Sequence, residues 1–312
     1  SMAKTTLIIT TRDRPDYLPL VLESVFRQTR PFDTVIVSDN SSSKSFKEQN
    51  KVVLVPFLEK YREILSLIPT PQDFASDVHT KFIQENYVGH TEFCVLFHDD
   101  DELLPHYHET IIKPFNIQKN IVAVGCNALK LKNKIPVRGT VMRQNKGTKT
   151  IKGSQELLKP YMEVGPLSTP PLCSYIFKSG VFKSISFDSK HGGKYSDLVA
   201  LSETATFGPI VWIYQPLMRY RIHSKQNSQE VSTLDFRNIL NYMVKKGKFD
   251  ADSIYIQSYR FKHMRLKLKF LFATRKWRSV QIISKFIICF ILKRLIWRKQ
   301  TYGYIWRNIN RK

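Results

Sequence analysis

FCVLFHDDD, residues 93–101, joins a short apolar run to three consecutive carboxylates. A continuous apolar run of this length, bounded by polar residues, is typical of a strand buried on both faces of a parallel sheet. Ligands of open α/β sheets bind at the carboxyl ends of the strands. The segment therefore predicts a buried strand that delivers Asp99, Asp100 and Asp101 to a ligand-binding edge.

The three carboxylates repel one another unless a cation or hydrogen-bond donors offset their charge. Asp99 and Asp101 are two positions apart and can project to the same side, where Mg²⁺ or Mn²⁺ would take their oxygens. Such an ion keeps open positions for diphosphate oxygens. The alternative is an exposed acidic turn that caps a helix after Leu103.

Upstream, two further apolar runs predict strands of the same sheet. Residues 6–10 (TLIIT) and 34–37 (TVIV) are β-branched and continuous, and the second run ends at Asp39. Between them, Asp13 and Pro15 are helix-start signals, and apolar residues recur at helical spacing from residue 18 to residue 25. This alternation predicts a doubly wound α/β sheet with Asp39 and the acidic cluster at strand ends.

The other elements follow from the same patterns. Residues 51–55 are interpreted as a third strand, with helices over 57–68 and 72–87. Farther on, we expect strands at 121–131 and 210–222, a strand and short helix over 174–187, and a helix over 195–205. The Lys/Gly/Asn-rich residues 132–153 predict a mobile loop, and the chain becomes helical from about residue 233.

The formal charge of +23 is distributed unevenly. Residues 253–312 contain sixteen of the 49 Lys and Arg and none of the 26 Asp and Glu, so the preceding residues carry only +7. Most of the charge therefore lies in the C-terminal part, and the two parts are expected to have different partners.

The basic C-terminal part also carries many large apolar residues, a composition that suits a bilayer interface. Its longest uninterrupted apolar run, residues 286–292, is far shorter than the roughly twenty residues needed to span a bilayer. We expect peripheral attachment to an anionic membrane surface, and the alternative is a packed helical subdomain with a basic outer face. No nucleic-acid-binding motif is present, so nucleic acid is not an expected partner.

The four cysteines show neither a CxxC pair nor zinc-type spacing to histidine, so buried or incidental thiols are expected. Ser1 precedes Met2, and the next residues enter a strand pattern without the charged and apolar regions of a secretory signal. The expected location is the cytosol, peripheral on the inner face of the plasma membrane.

Three segments in order resemble family 2 glycosyltransferases, which have the GT-A fold. Residues 10–15 (TTRDRP) are similar to that family's first strand and helix entry, which implies that Thr10, Thr11 and Arg12 meet the nucleotide. Residues 37–42 (VSDNSS) resemble its second-strand motif, whose Asp, here Asp39, recognises base or ribose. Residues 97–101 (FHDDD) resemble its D-x-D metal motif.

By that resemblance, Asp99 serves both nucleotide and metal, and Asp100 and Asp101 are further metal ligands. Mn²⁺ or Mg²⁺ is the implied cofactor. The family pattern often has Asp, Asn or Thr where this chain has His98.

Two later segments extend the resemblance. Residues 195–198 (YSDL) resemble the late acidic motif of the family, which implies that Asp197 is the general base of an inverting reaction. The usual acidic pair is absent, because Ser196 precedes Asp197, and Asp188 or Glu203 are alternatives. Residues 219–223 (RYRIH) are similar to the family's R-x-H segment near the diphosphate. The similarity implies that Arg221 assists the leaving group and that His223 is a third metal ligand or a hydrogen-bond donor.

The resemblance covers about residues 4–230. It implies a GT-A catalytic domain over residues 1–230, with a mixed, mainly parallel, Rossmann-like α/β sheet flanked by helices, and a basic helical extension over residues 231–312. The implied activity is inverting transfer from a nucleotide-diphosphate sugar, expected to be a UDP-sugar, to a glycan or lipid-linked acceptor in bacterial surface-polysaccharide synthesis. The alternatives are a nucleotidyltransferase, which would need a Gly-rich phosphate loop, and a non-catalytic glycan- or lipid-binding protein.

Overall fold

A computed structural model describes residues 3–163, 168–222, 232–246, 248–275 and 277–290 of the chain. The chain forms two compact units. The first comprises residues 1–154, 169–188 and 200–224, and the second comprises residues 155–168, 189–199 and 225–312. The predicted boundary near residue 230 lies outside the described residues and stays a prediction.

The first unit is built on a ten-stranded mixed sheet with the order β3-β2-β1-β4-β9-β6-β10-β5, to which β7 adds beside β6 and β8 beside β10. Its strands are β1 Thr5–Thr11, β2 Thr34–Asp39, β3 Leu65–Pro69, β4 Phe93–His98, β5 Glu102–Leu103, β6 Ala123–Lys132, β7 Ile135–Thr140, β8 Thr148–Ile151, β9 Ile176–Lys178 and β10 Ile210–Ile222. The mainly parallel half, β3 to β4, confirms the predicted α/β class.

Both units contain helices. They are α1 Leu18–Phe26, α2 Lys44–Lys60, α3 Ser76–Asn86, α4 Tyr107–Ile111, α5 Lys113–Ile117, α6 Ser154–Met162, α7 Ser179–Ser184, α8 Ser189–Gly192, α9 Ser196–Phe207, α10 Thr233–Lys245, α11 Ile254–Ala273 and α12 Trp277–Phe290. Helix α1 forms where the sequence predicts a helix. Proline stands in its first turn, and its buried residues, which form one apolar stripe, are Leu18, Val21, Leu22 and Val25.

The predicted third strand at residues 51–55 is wrong, because these residues lie inside α2. Ser43 caps that helix by accepting a hydrogen bond from the backbone N–H of Phe46 at 3.2 Å, and only Asn50 and Leu54 are buried on it, four residues apart. The real third strand is β3, which falls in the segment 57–68 interpreted as a helix and pairs in parallel with β2. Tertiary pairing here overrides a short apolar run that fits either period.

The predicted mobile loop at residues 132–153 is also wrong in part. Strand β7 pairs antiparallel with β6, and β8 pairs antiparallel with β10. Every residue of β7 except Thr140 is exposed, and Pro136 and Gly139 are residue types that are depleted in strands, so the sequence gives little signal for this strand.

The second unit is helical where it is described, and α10, α11 and α12 form most of it. Ser232 and Ser253 cap α10 and α11 by accepting backbone N–H bonds at 3.1 and 3.3 Å. None of the described helices is both long and apolar enough to cross a membrane.

Candidate functional site

Three strand ends meet at one edge of the first unit's sheet. In the parallel register, Thr11 of β1 lies opposite Asp39 of β2, and Thr10 lies opposite His98 of β4. The residues that follow these positions therefore enter the same space, as the sequence predicts for Asp39 and the acidic cluster.

Asp99 is buried directly beyond β4 and is held from the β1 side. Its Oδ2 accepts hydrogen bonds from the Thr11 hydroxyl at 2.9 Å and from the Arg12 backbone N–H at 3.2 Å. Burial raises the pKa of Asp99 to about 6, because desolvation outweighs the nearby guanidinium of Arg14, and the carboxylate of Asp100 adds to the rise. An extra cation near this carboxylate would be stabilising.

Arg14 is a site residue that the sequence motifs do not predict. Its Nη1 donates to Asp100 Oδ2 at 2.5 Å and lies 3.3 Å from Asp99 Oδ1. The side chain is 45% exposed, and the two carboxylates raise its pKa against the opposing effect of burial. Arg14 thus neutralises part of the acidic cluster. The signal available in the sequence was its position within the TTRDRP segment.

Asp101 is 1% exposed and has a different set of partners. Its Oδ1 accepts the Arg221 backbone N–H at 2.8 Å, and its Oδ2 accepts the Cys173 thiol at 3.2 Å and lies 3.7 Å from His98 Nδ1. Burial, followed by the charge of Asp101, raises the pKa of Cys173 well above its ordinary value. Asp99 and Asp101, although two positions apart, therefore have separate surroundings.

Arg221 lies on β10 and is 1% exposed. Its Nε donates to the Asp100 carbonyl at 2.6 Å, its Nη1 donates to the Asn133 carbonyl, and its Nη2 lies 3.4 Å from Glu102 Oε1. The guanidinium also stacks 4.7 Å from the centroid of the Tyr17 ring. In this arrangement Arg221 fixes the backbone of the acidic turn.

Asp39 is buried in a polar network at the end of β2. Its Oδ1 accepts the Ser41 backbone N–H at 2.9 Å, and its Oδ2 accepts from Asn50 Nδ2 at 3.1 Å. Asn50 Oδ1 is buried without a hydrogen-bond partner. A carboxylate oxygen has two lone-pair sites, so Asp39 retains acceptor capacity for a ligand.

The loop after β1 is tied to the turn after β2. Arg12 Nη1 donates to the Asn40 carbonyl at 2.9 Å, and the same guanidinium forms a two-pronged ion pair with Asp73. Asp13 has a left-handed backbone with φ of 57°, and its carboxylate accepts the Ser42 backbone N–H at 2.8 Å. These contacts set the position of the predicted nucleotide-binding segment.

The late predicted residues fall in three places. Asp197 is exposed in the first turn of α9. Of its alternatives, Glu203 accepts the Ser186 backbone N–H at 3.1 Å, and Asp188 follows α7 in the same unit as Glu203. His223 lies outside the described residues.

The acidic turn offers the donor chemistry of a divalent-cation site. Three buried carboxylates follow β4, and Arg14 pairs with the first two. Oxygen donors of this kind match Mg²⁺ and Mn²⁺.

The sequence model of the family described as glycosyl transferase family 2 matches residues 6–168, which is just over half of the chain. The chain belongs to glycosyltransferase family 2. The matched region contains the β1, β2 and β4 strand ends and the whole acidic turn. A search of curated proteins found no match.

Solved glycosyltransferases share this fold. S. aureus TarS has a TM-score of 0.57 at 16% identity, with 84% of this chain and 43% of TarS covered. TarS 1–349 in complex with UDP-GlcNAc has a TM-score of 0.55 at 14% identity, covering 84% and 73%. Mannosyltransferase PcManGT from Pyrobaculum calidifontis, in complex with GDP-Man and Mn²⁺, has a TM-score of 0.54 at 13% identity, covering 96% and 88%. These similarities establish the GT-A fold.

Proposed function

We propose that this family 2 glycosyltransferase moves a hexose from a nucleoside-diphosphate sugar, with UDP-sugars as the expected donors, to a glycan or lipid-linked acceptor with inversion at the anomeric carbon. The observation that carries the proposal is the convergence of Thr11, Asp39 and Asp99 at one sheet edge. TarS and PcManGT, which share the fold, were crystallised with UDP-GlcNAc and GDP-Man.

In the proposed donor site, the first two strand ends hold the nucleoside. Asp39 accepts hydrogen bonds from base or ribose, and Thr10, Thr11 and Arg12 line the approach from β1. The Arg12 guanidinium contacts Asp73 and the Asn40 carbonyl, and these contacts support the loop that would meet the nucleotide. Asp99 joins the nucleotide side of the site to the acidic turn through Thr11.

The acidic turn is the proposed diphosphate end of the site. Asp99, Asp100 and Asp101 would hold Mn²⁺ or Mg²⁺, and such an ion neutralises the charge that develops on a departing nucleoside diphosphate. Arg221 is the proposed assistant to the diphosphate leaving group. Its contacts also give it a positioning role, since its backbone N–H orients Asp101 and its guanidinium holds the Asp100 carbonyl. His223 stays a candidate third ligand.

Asp197 is the proposed general base. It would take the proton from an acceptor hydroxyl as that oxygen attacks the anomeric carbon. Its exposure on α9 suits contact with an acceptor that arrives from solvent. Asp188 and Glu203 remain the alternatives, and replacing each by its amide separates them by the loss of turnover.

The acceptor is proposed to be a bacterial surface-glycan intermediate, and the enzyme to act peripherally on the inner face of the plasma membrane. The support is chemical: α11 and α12 combine basic residues with exposed large apolar side chains. An anionic membrane surface, and not nucleic acid, is the proposed macromolecular partner of this part.

The test is donor binding by thermal shift with UDP-, GDP- and CMP-sugars plus Mn²⁺, followed by donor hydrolysis. We expect a UDP-sugar to raise the melting temperature and Asp101→Asn to lower hydrolysis by at least a hundredfold. Glu59→Gln removes an exposed charge from α2 and is the matched control. Full hydrolysis by Asp101→Asn, or no shift with any nucleotide sugar, would overturn the proposal.

A further inference from the structure

His98, Asp101 and Cys173 form a group whose possible ligand atoms all lie within 4.8 Å of one another. No other group of three or more His, Cys, Asp and Glu side chains among the described residues meets this spacing. Asp101 and Cys173 are buried, and His98 is half-buried at the end of β4. One ion could therefore be bound by all three side chains at the edge of the sheet.

Two of the three separations suit one tetrahedral ion. Asp101 Oδ2 lies 3.2 Å from Cys173 Sγ and 3.7 Å from His98 Nδ1. Metal–ligand bonds of about 2.0–2.3 Å give tetrahedral edges of roughly 3.3–3.8 Å between ligand atoms. The third separation, between the Cys173 sulfur and the His98 imidazole, is within 4.8 Å, and the His98 side chain is 40% exposed.

We propose that His98, Asp101 and Cys173 form a metal site with a thiolate ligand, which takes a borderline cation such as Zn²⁺, Co²⁺ or Cd²⁺ in preference to Mg²⁺. Thiolate and imidazole ligands favour these cations, whereas Mg²⁺ selects oxygen alone. Three protein ligands leave a fourth position open. That this position faces the donor diphosphate rests on the proposed function, but binding of the ion does not.

The surroundings already orient the carboxylate for this role. The Arg221 backbone N–H occupies Asp101 Oδ1 at 2.8 Å, so Oδ2 is the oxygen that faces the thiol and the imidazole. Fixing a ligand through its second oxygen is the usual support of a metal site. In the metal-free protein the Cys173 thiol donates its proton in a hydrogen bond to Asp101. When the ion binds, this proton would leave to solvent, and a sulfur lone pair would form the bond to the ion.

Arg14 does not occupy this position. Arg14 pairs with Asp99 and Asp100, so its guanidinium offsets the negative charge of these two carboxylates. Asp101 instead lies beside His98 and Cys173.

The experiment uses the full chain, freed of metal and kept anaerobic, with Co²⁺ as the spectroscopic probe and no nucleotide. We expect one equivalent of Co²⁺ to produce a near-ultraviolet thiolate-to-cobalt charge-transfer band, which one equivalent of Zn²⁺ abolishes. Cys173→Ser should remove the band. Cys126→Ser, which changes another fully buried free thiol, should keep it and is the matched control.

His98→Ala is the second variant, because a half-exposed position tolerates truncation and the protein should fold. It should weaken Co²⁺ binding at least tenfold. A Co²⁺ spectrum without a thiolate band, or a band unchanged in Cys173→Ser, would overturn this metal site while donor turnover with Mn²⁺ left the proposed function standing. Conversely, a thiolate band in a protein that binds no nucleotide sugar would support the site and contradict the proposed function.

Discussion

Asp99, Asp100 and Asp101 are adjacent in the chain, yet each carboxylate has its own surroundings. Asp99 is held from β1, Asp100 is paired with Arg14, and Asp101 is oriented by Arg221. Because like charges at adjacent positions are costly, this division among partners is what allows three buried carboxylates in one turn. At Asp99, desolvation nevertheless outweighs the stabilisation by these donors, which has a measurable effect on stability.

Asp99 should make the metal-free protein less stable as pH rises from about 4 to about 6. Its folded pKa of about 6 lies above the ordinary value, so the native state holds a proton that the unfolded chain has lost. The penalty is absent below pH 4 and complete above pH 6, on the order of 2–3 kcal/mol for a two-unit shift.

Denaturant unfolding in EDTA across pH 4–8, on wild type and Asp99→Asn, measures this effect. The stability of the variant relative to wild type should increase over that interval. Parallel curves would show that ionisation of Asp99 is not coupled to folding. The asparagine side chain keeps an oxygen that can accept from Thr11 and from the Arg12 backbone.

Arg14→Gln should increase the affinity of the nucleotide-free protein for Mn²⁺ by roughly tenfold. Two like unit charges about 10 Å apart repel each other by on the order of 1–2 kcal/mol at an effective dielectric constant of about 20. Removing the Arg14 guanidinium should therefore strengthen cation binding by at least this amount. Electron paramagnetic resonance of free Mn²⁺ gives the dissociation constant. Arg27→Gln removes an exposed guanidinium from the turn after α1 and should change nothing. Equal affinities in all three proteins would mean that Arg14 does not compete with cations.

At the scale of elements, the strand ends near Asp39 and Asp99 could be predicted because continuous apolar runs are followed by polar turns. The convergence on Asp101 could not. Cys173 and Arg221 are separated from it by 72 and 120 residues, and they arrive through a 3₁₀ turn before β9 and through the pairing of β10 with β5. Sequence spacing carries no signal for contacts that only sheet topology creates, so the sequence predicts only that the cysteines are buried or incidental thiols, and Cys173 is buried.

The close approach of β6 to the segment before β9 gives a stability prediction. A Cβ added at Gly125 would lie 2.7 Å from the ring of Tyr175, which is fully buried. Gly125→Ala should therefore lower the free energy of unfolding by about 1–3 kcal/mol, as overpacking does in cores.

Gly180→Ala is the matched control. It lies in α7 with open space around its Cβ position, so helix propensity should make the change neutral or stabilising. Urea unfolding of both variants decides the matter. A Gly125→Ala variant as stable as wild type would show that the Tyr175 ring moves aside without cost.

At the scale of the whole molecule, charge is segregated along the chain. The sequence predicts this directly, since sixteen cations and no carboxylates lie in residues 253–312. The structure adds that large apolar side chains of α11 and α12 are exposed, namely Leu266, Phe270, Phe272, Trp277 and Ile288. Exposed apolar groups beside cations suit the boundary between lipid head groups and acyl chains.

Trp277 is 56% exposed and packs edge-on against Phe272 at a centroid distance of 5.4 Å. The full chain should bind vesicles that contain anionic phosphatidylglycerol and not vesicles of phosphatidylcholine alone, and binding should weaken as NaCl is raised from 0.1 to 0.5 M because salt screens the cations. Trp277→Ala should weaken binding roughly tenfold, since burying a large apolar side chain contributes about 1.5–3 kcal/mol. Val52→Ala, which changes a 70% exposed apolar residue of α2, should bind as wild type does in the same cosedimentation assay. Equal binding by the two variants, or binding indifferent to lipid charge, would assign the exposed apolar residues of α11 and α12 to a protein contact in place of a membrane.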